Sequence, residues 1–348
     1  MLNRVVALLV GLACLGGGVA ANAVGQPPSP AATPYDELPV GSATSVPWWQ
    51  HGRLHLGDDV IATDRSDIAS RNGTTVVATD ENRRTGRPTT WYLVEGTHLT
   101  RLPMRARADQ PLISADGRWL AWSEVRAPRT DSYRRVERYR VVLYDAERRR
   151  IANTLRDRRL VAWEDGINGI WLRTLSDQGR LVLTRGTDGV QVFSPQGRPV
   201  RFDAPAGNGQ DLDGWPQGTT VFHLGTERSV YGVVGADGGF ERAGSFTAPF
   251  AGLWSSDGSA YAFQDYDDTT FWVRPLDGDA VQLDVPVDGP ELRVVGWESA
   301  QAVLLWQLDD YSSEPVSRLV RCFAATGACE RVPGGPKPGA RATMPSRY

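Results

Sequence analysis

Ser114-Ala115-Asp116-Gly117-Arg118-Trp119-Leu120-Ala121-Trp122 and Ser256-Asp257-Gly258-Ser259-Ala260-Tyr261-Ala262-Phe263 carry the same design: a small polar turn that feeds an apolar strand. Gly179 and Gly218 mark looser copies, so that Gly117, Gly179, Gly218 and Gly258 stand 62, 39 and 40 residues apart. Trp215, Trp254 and Trp297 run with them at steps of 39 and 43, each just before its turn or the turn's equivalent. A strand pattern recurring near every forty residues implies four-stranded blades stacked around an axis, because one blade cannot cover both of its own apolar faces. The expected fold is therefore all-β, a single β-propeller.

Six strand groups are expected, at about 64–103, 109–156, 159–203, 209–247, 250–286 and 291–333. The third holds one strand too many, because Leu160-Val161-Ala162-Trp163 precedes four further apolar runs. Upstream, Gly52-Arg53-Leu54-His55-Leu56-Gly57 and Val60-Ile61-Ala62 form a short hairpin outside the six groups. Propellers remove their free edges by pairing strands from the two termini, and this hairpin is assigned to that closure. Six blades are the expectation, with room for a seventh.

The chain has 348 residues and a formal net charge of −3. Met1 to Ala23 reads as a secretory signal: Arg4 charges its start, Val5 to Leu15 is apolar, and Ala21-Asn22-Ala23 offers small residues for cleavage. The alternative is an uncleaved N-terminal anchor, but Gly16-Gly17-Gly18 and Asn22 dilute the apolar run that a span of about 20 residues needs. No transmembrane span is expected after cleavage. Residues 24–47 are rich in Pro, Ala and Thr and read as a linker, 48–333 as the propeller, and 334–348 as a disordered tail.

Removing the signal takes Cys14 with it and leaves Cys322 and Cys329, which in an exported protein are expected to pair across the turn at Thr326-Gly327.

The turns resemble the repeat of TolB-type and WD40-like exported propellers, whose consensus is a Ser-Pro-Asp-Gly turn followed by a strand such as Leu-Ala-Phe. Leu253-Trp254-Ser255-Ser256-Asp257-Gly258-Ser259 matches, including the tryptophan before the serine, while Ala115 and Ser256 replace the proline and Trp297-Glu298-Ser299-Ala300 lacks Asp-Gly. The resemblance implies an exported protein that binds a partner or serves an accessory role, and it names no ligand.

No nucleophile elbow, zinc-binding helix, phosphate loop or dinucleotide fingerprint is present, so no catalytic residue and no cofactor is assigned. The histidines His51, His55, His98 and His223 show no metal-pair spacing. The alternative to a binding module is a channel-centred glycoside hydrolase or lactonase using acids such as Asp116, Glu164, Asp165, Asp257 and Glu298, although turn chemistry explains Asp116 and Asp257 on its own. Asp265, Asp267 and Asp268 could offer oxygens to calcium from a loop, without the register of an EF-hand.

Charge placement is more specific than net charge. Arg126 to Arg159 contains twelve Arg and five acids, whereas Phe202 to Pro315 contains four Arg and nineteen acids. The run Arg134-Arg135-Val136-Glu137-Arg138-Tyr139-Arg140 starts in what reads as a long loop between Trp122-Ser123-Glu124 and Val141-Val142-Leu143-Tyr144. Long inserts on rigid propellers tend to carry recognition, which makes Arg134, Arg135, Arg138, Tyr139 and Arg140 the candidate partner-binding residues. In an exported protein a basic patch meets an acidic protein surface or an anionic envelope component rather than nucleic acid. The molecule is expected to act as a monomer.

Overall fold

The structure is a computed structural model. It describes residues 33–345, with interruptions at 65–66, 79–89, 105–107, 109, 132–133, 156–160, 164–169, 186–189, 201–210, 215–218, 224–227, 235–239, 248–251, 256, 258, 266–269, 277, 287–291, 309–315 and 336–341.

Seven antiparallel sheets follow one another along the described chain. Sheet II starts at Asp67–Arg71, sheet III at Leu112–Ile113, sheet IV at Ile170–Leu175, sheet V at Asp211–Gly214, sheet VI at Gly252–Trp254 and sheet VII at Leu292–Ser299. Each is a meander in which every strand pairs with the next, apart from one added strand in sheet III. Sheet I is built from both ends: Ala342–Thr343 pairs with Trp48–Gln50, which continues into Arg53–Leu56 and Asp59–Ala62. The hairpin assigned to closure thus forms a sheet of its own, and the sheets number seven where six blades were favoured.

The first strands of sheets II and III, III and IV, IV and V, and VI and VII lie against one another. These inner strands gather around one axis, and the fold is a β-propeller.

The core lies between sheets. Leu54 and Ile61 of sheet I pack on Ile68 and Val77 of sheet II. Val76 and Trp91 of sheet II meet Leu120 and Trp122 of sheet III, and Val141 and Leu155 of sheet III meet Leu181 and Phe193 of sheet IV. Leu304 and Trp306 of sheet VII pack on Trp48 and Met344 of sheet I, which closes the ring. Because both faces of a blade are covered, its second strand is apolar throughout instead of alternating. Val76-Val77-Ala78, Leu120-Ala121-Trp122 and Val303-Leu304-Leu305 are all at 0% exposure.

The quoted turns join first to second strands. Ser114 Oγ accepts from the Trp119 amide at 2.9 Å and donates to Asp116 Oδ1, which also accepts from the Arg118 amide. Ser255 and Asp257 repeat the device around the Ala260 amide. Gly117 adopts φ +76°, where an L side chain is strained, and a Cβ there would stand 2.5 Å from Thr74 Oγ1. Bonds between neighbouring sheets keep the period: Arg71 to the Ile113 carbonyl spans 42 residues, Thr74 to Gly117 43, Asn153 to Pro195 42 and Trp297 to Leu253 44.

Both ends differ from expectation. The stretch 24–47 reads as a linker, but from 33 onward its described part is packed along sheet VII. Leu38 is buried in the core between sheets VI and VII, Val40 bridges to Arg331, and the Gly41 amide donates to the Arg331 carbonyl. The tail 334–348 reads as disordered, yet it supplies the closing strand and the buried Met344. Both elements are held by partners some 280 to 300 residues away in sequence, which local composition does not encode.

Candidate functional site

Strand directions alternate in a meander, so the turns between second and third strands share one face with the sheet-to-sheet connections. In sheet III this turn is replaced by a long hairpin, Trp119–Asp131 paired with Arg134–Asp145. The segment read as a loop is therefore ladder. The inner strand pairs only with Leu120 and Ala121, and Arg150–Leu155 pairs only with 141–145. Residues 125–131 and 134–139 continue beyond them, by about 20 Å at roughly 3.3 Å per strand residue. The surplus strand of the third group has its place here: Val161–Trp163 pairs with Val136, Glu137 and Arg138 and widens the arm to three strands.

At the root of the arm Glu124 and Arg140 are paired in register. Their side chains are 1% and 7% exposed and form an ion pair, and Trp122 Nε1 donates to the same carboxylate at 2.8 Å. Arg140 was a candidate partner-binding residue; the structure corrects this, since its guanidinium is consumed inside the blade. Tyr139 is half-buried and packs on the core between sheets III and IV. Arg134, Arg135 and Arg138 are strand residues of the arm whose side chains lie outside the described atoms. The stretch 125–139 carries five Arg against Asp131 and Glu137.

The acids of the alternative reading are engaged in structure. Burial would push the Asp257 carboxyl up, but the Ser259 amide and hydroxyl and the Ser255 hydroxyl outweigh it and hold it below the usual carboxylate range. Burial likewise opposes ionisation of Glu298, and its bonds from Arg321, Thr44 Oγ1 and the Ser45 amide overcome that effect and lower it. Asp116 serves its turn, while Glu164 and Asp165 lie outside the described residues. So do Asp267 and Asp268; the Asp265 amide closes a turn onto the Thr270 carbonyl. Among the described residues no group of three His, Cys, Asp or Glu could hold a metal ion, and no helix is long and apolar enough to cross a membrane.

Cys322 and Cys329 face each other in register on the last hairpin and are bonded, with Cα atoms 4.1 Å apart.

Two ionic clusters escaped the sequence reading. Arg321, 6% exposed, donates to Glu298, to Glu330 Oε1 at 2.6 Å, and to the carbonyls of Ser42 and Ala43 at 3.2 Å. On the face opposite the arm, burial lowers Arg71 to about 10 against the opposing pull of Asp177 and Asp116. Both join segments distant in sequence, and the arginines sit in strands with no motif around them.

No known protein family matches the chain, and no curated protein does. Among solved structures it is similar to virginiamycin B lyase from Staphylococcus aureus, at 12% identity over 83% of this chain and 90% of that one, with a TM-score of 0.46. It is similar to Kuenenia stuttgartiensis hydrazine synthase at 12% identity over 75% and 77%, TM-score 0.43. A third is the β-propeller domain of Cps50 (Swd1) from Myceliophteria thermophila, 10% identical over 76% and 97%, TM-score 0.39. The propeller assignment stands on the sheet order and the ring of inner strands.

Proposed function

We propose that this propeller is a non-enzymatic binding or scaffolding module of the cell envelope, exported by its N-terminal signal and engaging an anionic partner through the arginine-rich arm of sheet III. The observation that carries this reading is the arm itself. Folding gives a chain no reason to extend one hairpin by about 20 Å beyond its blade, and a projecting ladder rooted in a buried ion pair is a rigid way to present basic residues. The charge distribution supports it, since the stretch 202–315 is strongly acidic and a partner would be oriented toward the arm over roughly a Debye length of 8 to 10 Å. The signal at 1–23 and the bonded cysteine pair fit an oxidising compartment. The partner is an acidic protein surface or an anionic envelope polymer, bound by a single copy of the chain.

The test shortens the arm. Residues 126–138 are replaced by Asn-Gly, which keeps Tyr139 on the core and restores an ordinary two-residue hairpin at the Val125 to Tyr139 pair. Capture from a native envelope extract by wild type and variant is then compared. A component held by the wild type and lost from a variant with unchanged melting supports the reading; identical capture by both refutes it.

A further inference from the structure

The arm has two faces, and the register divides its charges between them unequally. At the base of the arm Trp122 and Val142 stand opposite each other and pack on sheet II, whereas Tyr139 packs on the core between sheets III and IV. Residues of a strand alternate between faces, so the sheet II face continues from Trp122 and Val142 through the buried Glu124 and Arg140. Arg126 and Arg138 come next, directly opposite each other, with Val161 alongside. Arg129, Val136 and Trp163 form the second row, and Asp131 with Arg134 the third. Four of the five arginines of 125–139 thus share this face with one acid, while Arg135 and Glu137 belong to the other face.

Like charges directly opposite in a ladder destabilise it, and Arg126 meets Arg138 one row beyond the pair in which Glu124 neutralises Arg140. That repulsion costs stability, and a bound anion removes it. The rows are two residues apart on Arg134–Asp145, roughly 7 Å, and each holds an arginine. A ligand with one anionic group about every 7 Å matches the face along its length. Val161 and Trp163 add uncharged positions to the first two rows, as a polymer whose charges alternate with neutral units requires. Strand addition by an acidic peptide is disfavoured at both edges of the arm. Pro128, which has no N–H to donate, lies in the bulge of one edge strand, and the other, Val161–Trp163, is three residues long.

Resting on the reading of the arm as the binding element, we infer that its sheet II face holds a linear phosphodiester polymer of the envelope, with neutral polyol or sugar units between the phosphates. The opposed Arg126 and Arg138 suit a tetrahedral group, whose non-bridging oxygens diverge toward two guanidinium forks, whereas a single fork satisfies a planar carboxylate. Arg129 and Arg134 take the phosphates that follow.

The test measures calorimetric binding of short poly(glycerol phosphate) to the purified protein at low salt, with polyglutamate of equal charge as the peptide probe. Poly(glycerol phosphate) is expected to bind at least about tenfold tighter. Arg126→Gln combined with Arg138→Gln is expected to weaken it at least about tenfold and to melt no lower than wild type, because opposed like charges are removed. Arg135→Gln, on the other face, is expected to leave affinity essentially unchanged. Arg129→Gln in the middle row, expected to weaken binding several-fold, keeps the test decisive if the double variant does not fold. Equal affinity for the two polymers, or a loss in Arg135→Gln as large as that in the double variant, overturns the assignment. Failure of poly(glycerol phosphate) to bind overturns it as well; capture from the envelope extract that is still lost on shortening the arm would then leave the arm's binding role standing with a different partner.

Discussion

Replacing Arg321 by methionine keeps the aliphatic stem and removes the guanidinium, leaving the Glu298 and Glu330 carboxylates without the cation between them. The three side chains are 6%, 11% and 19% exposed, so these are interior charges. Removing one partner of a buried ion pair costs about 3–5 kcal/mol, because the stranded charge remains desolvated. For a domain of this size each kcal/mol lowers the melting temperature by roughly 2 °C, so Arg321→Met is expected to melt about 6–10 °C below wild type at neutral pH. The Arg321 bonds to the Ser42 and Ala43 carbonyls disappear as well, and the strap from Leu38 to Val46 is expected to lose amide protection. The acid dependence has a definite sign. Glu298 is lowered in the folded protein, so its stabilisation is fully present above the ordinary glutamate value of about 4.3 and is lost as pH falls through the lowered value. The gap between variant and wild type should therefore narrow in acid. Near-ultraviolet circular dichroism melts at several pH values and hydrogen exchange over the strap measure both effects. A shift below about 2 °C at pH 7 with the strap still protected would refute the reasoning.

Gly117→Ala is expected to cost about 2 kcal/mol in denaturant unfolding, since it meets both a strained φ of +76° and Thr74 at 2.5 Å, whereas Gly57→Ala at φ +60° in open space should cost about 1. Reducing the Cys322 to Cys329 bond should cost about 2 kcal/mol, as expected for a small closed loop, and mass spectrometry of the chain purified without reductant should find neither cysteine alkylated. Ending the chain before Ala342 strips the edge of Trp48–Gln50 and uncovers the neighbours of Met344; light scattering should detect association, and a monodisperse variant with wild-type melting would contradict the closure.

Local signals carried most of the fold. The apolar runs and glycine turns place five of the six strand groups within a few residues of their sheets, and the third misses by its first run, Leu160 to Trp163, because a strand covered on both faces and a turn demanding positive φ leave marks in adjacent residues. The arm left none. Arg126 to Arg138 show neither alternation nor an apolar run, and only the register between Trp119–Asp131 and Arg134–Asp145 makes them strands. Leu160 to Trp163 was recognisable as a strand but not as a partner of Val136 to Arg138, since pairing order is a tertiary property. Arg140 reads like its neighbours in sequence, and its role follows only from Glu124 standing opposite.

The binding role rests on the arm's charge, and a salt series on the charge-reversed arm tests it most directly. Arg134, Arg135 and Arg138 are replaced together by Glu, and affinity for the component captured by wild type is measured from low to high salt. Arm-mediated recognition predicts a strong loss at low salt that shrinks as salt rises, with melting essentially unchanged. Affinity equal to wild type at every salt concentration, in a variant shown to be folded, would return the arm to solvated surface and contradict the account.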